Sequence, residues 1–354
     1  MSNLTYQEVF PSVFISANSK CGFYSLYDEV FDTKKFQRIY VLFGGPGTGK
    51  STFLRELVGQ AQKSGIAHEE ILCSSDPTSL DGVILKKGEI TIGVLDGTPP
   101  HGRIITSPAV SEELIHLGAF WDTAHISENK TILGALKAEK KAKYESAYRY
   151  LSAMGTLWEE FTESKKKHFD KEKAARQIHH KIHALKEKGI VERRFFRSYS
   201  TCGEKLLPVH EDGLKNLLLI RGSLCTAEIY LTYFEDLLRE NHIAHTVFLS
   251  PLSPDRVDAI YLKENKTLLI KEELWGGETR GRRIVSDRFF TDLSEDTKEQ
   301  KAMLDGLLSF ALTSLKHAGA AHAATEKYYI ESMDFKALGA YRKSAVERIL
   351  SELG

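Results

Sequence analysis

The sequence predicts an α/β fold with a mostly parallel sheet, duplicated, and with long helical insertions. Three observations predict it. An apolar run, Ile39 to Phe43, leads directly into Gly44-Gly45-Pro46-Gly47-Thr48-Gly49-Lys50-Ser51 and then into an amphipathic run. Residues 217–262 repeat residues 40–85 without gaps, at an offset of 177. Two long stretches almost free of Gly and Pro read as helical. The eight-residue segment fits G-x-x-x-x-G-K-[ST] in its strand–loop–helix setting, so the predicted fold is of the P-loop NTPase type.

Taken in order, Ile39–Phe43 reads as a buried parallel strand. The helix from Ser51 to about Lys63 places Phe53, Leu54, Leu57, Val58 and Ala61 at helical spacing, and Gly65 ends it. Glu70–Cys73 reads as a second strand and Ile90–Leu95 as a third, ending at Asp96. Gly97-Thr98-Pro99-Pro100-His101 is a turn. Ser107-Pro108 predicts a helix start, with Ser as cap and Pro at the first helical position. From about Ser111 to Lys188 the chain reads as long-helical. The expected domains are a P-loop core over 1–110, a helical insertion or hairpin over 111–190, a degenerate core over 191–293 and a helical segment over 294–354.

The loop makes a specific chemical object, a nest of backbone N–H groups at a helix N-terminus that holds a polyphosphate. Gly45, Pro46, Gly47, Thr48, Gly49, Lys50, Ser51 and Thr52 are the expected ATP-binding residues. Lys50 would reach the β- and γ-phosphates, and the Ser51 hydroxyl would ligate Mg²⁺. Asp96, at the C-terminal end of an apolar strand, is the expected second metal-linked carboxylate. Asp76, in Cys73-Ser74-Ser75-Asp76-Pro77-Thr78-Ser79-Leu80-Asp81, is a candidate to orient water or take a proton from an acceptor hydroxyl. A plain turn role for Asp76 is the competing reading. Asp81 recurs as Asp258 and Arg103 as Arg283, which favours fold roles for both. His101 follows Asp96 closely enough to touch phosphate. His179 and His183 stand one helical turn apart, but lysines surround them and no third ligand is evident, so they read as solvated.

The repeat carries the triplet Ile66-Ala67-His68 whole, as Ile243-Ala244-His245. Phe14–Gly22 also resembles the FRSYSTCG ending at Gly203. The second loop reads Arg221-Gly222-Ser223-Leu224-Cys225-Thr226-Ala227-Glu228, with Ala227 opposite Lys50 and Glu228 opposite Ser51. A glutamate at that helix N-terminus satisfies the dipole internally and repels a triphosphate. Only Glu272 and Glu273 stand near the place of Asp96. One active site is therefore expected, not two.

The formal net charge is zero, so no global field recruits nucleic acid or a membrane. Lys137–Arg197 holds 17 Lys and Arg against 9 Asp and Glu, and reads as a solvated helix face. Four dispersed cysteines make no C-x-x-C pair. With no signal peptide or apolar span in view, the expectation is a cytoplasmic protein that contacts neither membrane nor nucleic acid.

GGPGTGKST (Gly44 to Thr52), CSSDPTSLDGV (Cys73 to Val83) and LDGTPPH (Leu95 to His101) together resemble a poorly characterised bacterial family of tandem P-loop ATPases. The resemblance implies an ATPase and names no substrate. It covers most of the first half and only weakly the second, where the loop and the D-G-T-x-P-H segment have decayed. The expected function is Mg²⁺-dependent ATP hydrolysis at one site, with a protein partner engaged through the helical arms. The alternatives are a kinase acting on a small molecule or nucleotide, with a basic helical lid that includes Arg149, and a nucleotide-binding scaffold with little turnover.

Overall fold

A computed structural model describes residues 8–99, 103, 105–277, 281–293 and 297–354. His101 and its neighbours Pro100 and Gly102 lie outside the described residues. In chain order the elements are β1 (Ser12–Val13), β2 (Ser16–Ser19), β3 (Gly22–Ser25), α1 (Tyr27–Val30), β4 (Arg38–Phe43), α2 (Lys50–Lys63), β5 (Ala67–Leu72), β6 (Leu80–Lys87), β7 (Ile90–Asp96) and β8 (Glu112–His116). There follow α3 (Thr123–Glu128), α4 (Lys130–Lys166), α5 (Lys171–Ile182), β9 (Val191–Phe195), β10 (Arg197–Ser200), β11 (Gly203–Leu206), β12 (Asn216–Arg221) and α6 (Thr226–Glu240). The chain ends with β13 (His245–Leu249), β14 (Val257–Leu262), β15 (Thr267–Lys271), β16 (Arg282–Val285), α7 (Thr297–Glu331) and α8 (Phe335–Ser351).

The chain forms two compact units, each discontinuous in sequence. Unit I comprises Ser25–Ser146, Ser200–Gly203 and Thr313–Gly354. Unit II comprises the chain up to Tyr24, Ala147–Tyr199 and Glu204–Leu312. The helical stretches are therefore shared out rather than set apart as insertions: α4 contributes its first part to unit I, and α7 its last.

In unit I, strands run in the order β5-β6-β7-β4-β8. β4 pairs in parallel with β7 and β8, while β6 is antiparallel to both β5 and β7. Four strands thus point one way and β6 alone is reversed. The apolar stripe of α2 (Phe53, Leu54, Leu57, Val58, Ala61) packs with Leu338, Val346 and Ile349 of α8 in one core over Tyr40, Leu42, Val83 and Val94. Ser200–Gly203, the tip of the β10–β11 hairpin, also lies in this unit, where Thr201 donates from both N and Oγ1 to the Ser75 carbonyl at 2.9 Å.

In unit II the order is β9-β13-β14-β15-β12-β16, with β14 alone reversed. Setting β13-β14-β15-β12-β16 beside β5-β6-β7-β4-β8 matches position and sense strand for strand. The tip of the β2–β3 hairpin lies in unit II, where the Lys20 amide donates to the Leu252 carbonyl at 3.0 Å.

Two sequence expectations are corrected. No helix starts at Ser107-Pro108; the buried Glu112 carboxylate accepts from the amides of Thr106 (2.8 Å) and Ser107 (3.1 Å), and the chain continues as β8 beside β4. Nor is the chain helical from about Ser111: Glu112–His116 is strand β8, and the long helix α4 begins only at Lys130.

Candidate functional site

Because β4, β5 and β7 point the same way, their C-terminal ends bring the glycine-rich loop, the Asp76 segment and Asp96 to one edge of the unit I sheet. The loop leaves β4 and enters α2 through Gly49 at φ +74°, after Gly47 at φ +70°. Both lie in the left-handed region, where a side chain is strained. Thr48 is buried and its Oγ1 donates to the Gly45 carbonyl at 2.9 Å. Pro46 is half-buried and Thr52 is exposed.

Lys50 folds back over the loop. Its Nζ donates to the carbonyls of Gly44 and Gly45, each at 2.9 Å, and lies 3.6 Å from Asp96 Oδ2. Asp96 is the last residue of β7, paired in register with Leu42, and only 8% exposed. Its Oδ1 accepts from the Thr98 amide at 2.8 Å. Gly97 follows because a Cβ there would stand 2.3 Å from the Val41 side chain. Ser51 begins the first turn of α2, and its Oγ accepts from the Leu80 amide at 3.0 Å. A serine hydroxyl and a carboxylate at one strand edge are hard oxygen donors of the kind Mg²⁺ takes. Asp76 instead holds its own turn: Oδ1 accepts from Thr78 N (3.1 Å) and Oγ1 (2.7 Å), and Oδ2 from Ser79 Oγ (3.0 Å). Burial, then Asp81, pushes the Cys73 thiol up, so it is no thiolate nucleophile near neutral pH. Arg103 is engaged in the fold, with Glu112 at 2.6 Å and the Phe31 carbonyl at 2.8 Å.

Sequence reading missed a helical cap over this loop. From α7, Glu326 Oε1 accepts from the Gly47 amide at 3.1 Å, and Ile330 lies where a Cβ on Gly47 would fall. Four residues before Glu326, His322 Nδ1 faces Lys140 Nζ of α4 at 3.1 Å. Burial, with Lys140 and Lys50 beside it, pushes the His322 pKa down to about 4. Neutral His322 then accepts from the Lys140 ammonium through Nδ1. Burial and Lys50 likewise lower the Lys140 pKa, against a raising influence from Cys73. One turn on from Lys140, burial raises the Tyr144 pKa, while its hydrogen bond to Ser75 lowers it. Arg149 is exposed and belongs to unit II, apart from this cluster. His179 and His183 are exposed on α5, and among the described residues no group of three or more His, Cys, Asp or Glu is placed to hold a metal.

The corresponding edge of unit II carries inverted charges. β12 ends on the same ladder as β4: Ile220 pairs Lys271 where Leu42 pairs Asp96, and Arg221 pairs Val285 where Phe43 pairs His116. Gly222 therefore stands with Gly44 rather than Gly45, and the second loop, Gly222–Cys225 against Gly44–Gly49, is two residues shorter. Lys271, not Glu272 or Glu273, occupies the Asp96 register. Its Nζ lies 3.0 Å from Glu228 Oε2 and 2.6 Å from Asp258 Oδ1, and Arg197 Nε is 2.7 Å from Asp258 Oδ2. Against the upward push of burial, Arg197 and Lys271 hold the Asp258 carboxyl below the usual range. Asp287 fills the second loop from within: Ser223 donates to it from both N and Oγ at 2.8 Å, and Thr226 Oγ1 at 2.7 Å. A cavity of about 420 Å³ adjoins this loop, lined among others by Trp158, Glu228, Lys271, Glu272 and Lys301.

Fold and site together define an α/β protein with a glycine-rich loop between a parallel strand and a helix N-terminus. Neither a protein-family model, nor a curated protein, nor a solved structure matches this chain. No helix among the described residues is long and apolar enough to cross a membrane.

Proposed function

We propose that the chain is a Mg²⁺-dependent P-loop ATPase with one nucleotide site, in unit I, and that unit II derives from a duplicated copy that has lost phosphate chemistry. The observation that carries the reading is the Gly47 amide with a carboxylate already seated on it, beside a lysine that bridges loop and strand-end aspartate. A nest that accepts a carboxylate is chemically prepared for phosphate oxygens. Loop amides and Lys50 would bind the triphosphate; Ser51 and Asp96 would hold Mg²⁺, which supplies charge neutralisation at the β- and γ-oxygens. Lys50 would exchange its two loop carbonyls for phosphate oxygens. Asp76, with both carboxylate oxygens engaged in its turn, supports the position of the Ser75–Ser79 segment more than a role as base.

The second loop supports a single site. Asp287 satisfies its amide and hydroxyls, Lys271 replaces the metal-binding carboxylate, and Glu228 places negative charge at the helix N-terminus. Strand-for-strand agreement between the two sheets, and the hairpin tips of each unit, support the duplication.

The test is calorimetry of the pure protein with MgATP, followed by phosphate release without any acceptor. One molecule bound per chain, with turnover abolished in Lys50→Ala, is the expected result. No uptake, or two equivalent sites, overturns the reading. ADP formation that depends on an added acceptor assigns the protein as a kinase instead, and tight binding without turnover as a scaffold.

A further inference from the structure

Lys140 presents an electrostatic problem that the fold alone leaves unsolved. Its ammonium is half-buried, lies within reach of the Lys50 charge and, among the described residues, makes no ion pair. Its partner is a neutral imidazole. A half-buried cation beside a second cation is disfavoured unless an anion joins them. The carboxylates nearby are occupied: Asp96 faces Lys50, Glu326 the Gly47 amide, and Asp76 its own turn.

Unit II supplies an internal control. Gly155 of α4 and Gly319 of α7 play equivalent parts, each so close to a hairpin tip that a Cβ would stand 2.7 Å from Lys20 or Thr201. Fifteen residues before Gly155 is Lys140, and fifteen before Gly319 is Leu304; three after Gly155 is Trp158, and three after Gly319 is His322. The places of Lys140 and His322 are thus taken in unit II by the buried Leu304 and by Trp158, whose Nε1 donates to Glu228 Oε1 at 2.9 Å. The Lys–His pair is absent from the same unit whose loop lacks the lysine of Lys50 and the carboxylate of Asp96.

We propose that Lys140, oriented by His322, supplies the positive charge that meets the γ-phosphoryl group in the transition state, in the manner of an arginine finger provided in cis. This rests on the ATPase reading above. In the step it serves, a water oxygen forms the new bond to the γ-phosphorus and the bond to the β,γ-bridging oxygen breaks. The electron pair leaves with ADP, and the water proton passes to the released phosphate. Lys140 makes and breaks no bond; two of its N–H groups remain for the equatorial phosphoryl oxygens, where charge accumulates. His322 is a positioning residue, holding the ammonium through Nδ1.

The experiment uses the full chain and compares wild type, Lys140→Met and Lys140→Arg. MgADP and MgADP with fluoroaluminate are titrated by calorimetry, and phosphate release is followed in parallel. Lys140→Met is expected to bind MgADP within about twofold of wild type and to lose about a hundredfold in turnover and in fluoroaluminate-dependent affinity. Lys140→Arg is expected to recover most of both. Turnover of Lys140→Met within threefold of wild type overturns the proposal. So does an equal loss of ADP and ADP-fluoroaluminate affinity, which marks a structural role. If Lys140→Met does not fold, an arginine variant as inactive as the methionine one is expected of a merely structural lysine and also overturns it. Failure of the wild type to bind any magnesium nucleotide removes the ATPase reading itself, before the variants are compared.

Discussion

The backbone amide of Gly47 donates to the Glu326 carboxylate across 3.1 Å, so the glycine-rich loop and the cap helix share a charge-assisted hydrogen bond. The donor sits in a left-handed turn, and the acceptor sits four residues beyond His322 on the same face of α7. On the proposed ATPase reading, a triphosphate would need that amide and be repelled by that carboxylate.

Removing the charge should therefore favour the nucleotide. Glu326→Gln keeps the side-chain shape and a carbonyl acceptor but loses the charge that strengthens the bond. MgATP affinity in the variant is expected to rise several-fold, a change of about 1 kcal/mol or slightly more, the worth of one charge-assisted bond over a neutral one. Calorimetry reads it directly. Weaker or unchanged binding means that Glu326 does not compete for the loop.

The buried triad of unit II gives a stability prediction independent of the nucleotide. Lys271 lies between Glu228 and Asp258, all three nearly inaccessible to water. Lys271→Met leaves two buried carboxylates facing each other without their common cation, and should cost about 3–5 kcal/mol. A fall in the urea midpoint of the chain, with nucleotide stoichiometry unchanged, is expected. Likewise, Ala227→Lys should restore no second site, because the loop is two residues short and Asp287 already occupies it. Loss of nucleotide binding in Lys271→Met would show that the charge-inverted edge, not the proposed site in unit I, binds nucleotide.

Sequence made the loop legible because its chemistry is local: glycines, lysine and serine are contiguous, and the strand and helix on either side follow from apolar spacing over a few residues. Asp96 was legible for the same reason, as the end of an apolar run. Glu326, His322 and Lys140 were not, since nothing in their neighbours marks them and the fold alone brings residues 140 and 322 together. Lys140 was hidden further by its setting among many lysines, which read as one solvated face. The ungapped repeat misplaced Gly222 by one position because most of its identities, such as Ile66-Ala67-His68, lie beyond the helix and set the offset there, and only the hydrogen-bond ladder exposes the shorter loop. Ser107-Pro108 looked like a helix start, yet a buried carboxylate five residues on captured the amides that the cap would have served.

The His322 environment sets the direction of a pH effect. In the unfolded chain the imidazole titrates near 6.5, whereas in the fold it titrates near 4. Between those values the unfolded chain binds the extra proton, so the folded state loses stability as pH falls from about 6.5 to about 4, and nothing further from this group below that. At most about 3 kcal/mol is involved, from the size of the shift. Below that range Asp258, depressed by Arg197 and Lys271, adds its own loss as it protonates. Denaturation midpoints measured from pH 4 to 7 should fall with acid in wild type and less steeply in His322→Gln. Parallel curves for the two proteins refute the assignment.

The four cysteines should divide into two fast and two slow thiols. Cys21 and Cys202 are exposed, each at the tip of one of the two related hairpins. Cys225 is buried at the second loop, and burial followed by the Glu228 charge pushes its pKa up to about 12. Cys73 is raised by burial and by Asp81, and it accepts a hydrogen bond from the Asp76 amide at 3.4 Å. Since the thiolate is the reacting species, a raised pKa and restricted access slow modification together. Titration of the native protein with a disulfide reagent at pH 7.5 should show two thiols reacting promptly and two only in denaturant. Cys21→Ser with Cys202→Ser should remove the fast phase entirely. A fast phase that survives the double variant would mean that Cys73 is a thiolate in the native fold, and would return it to consideration as a nucleophile beside the glycine-rich loop.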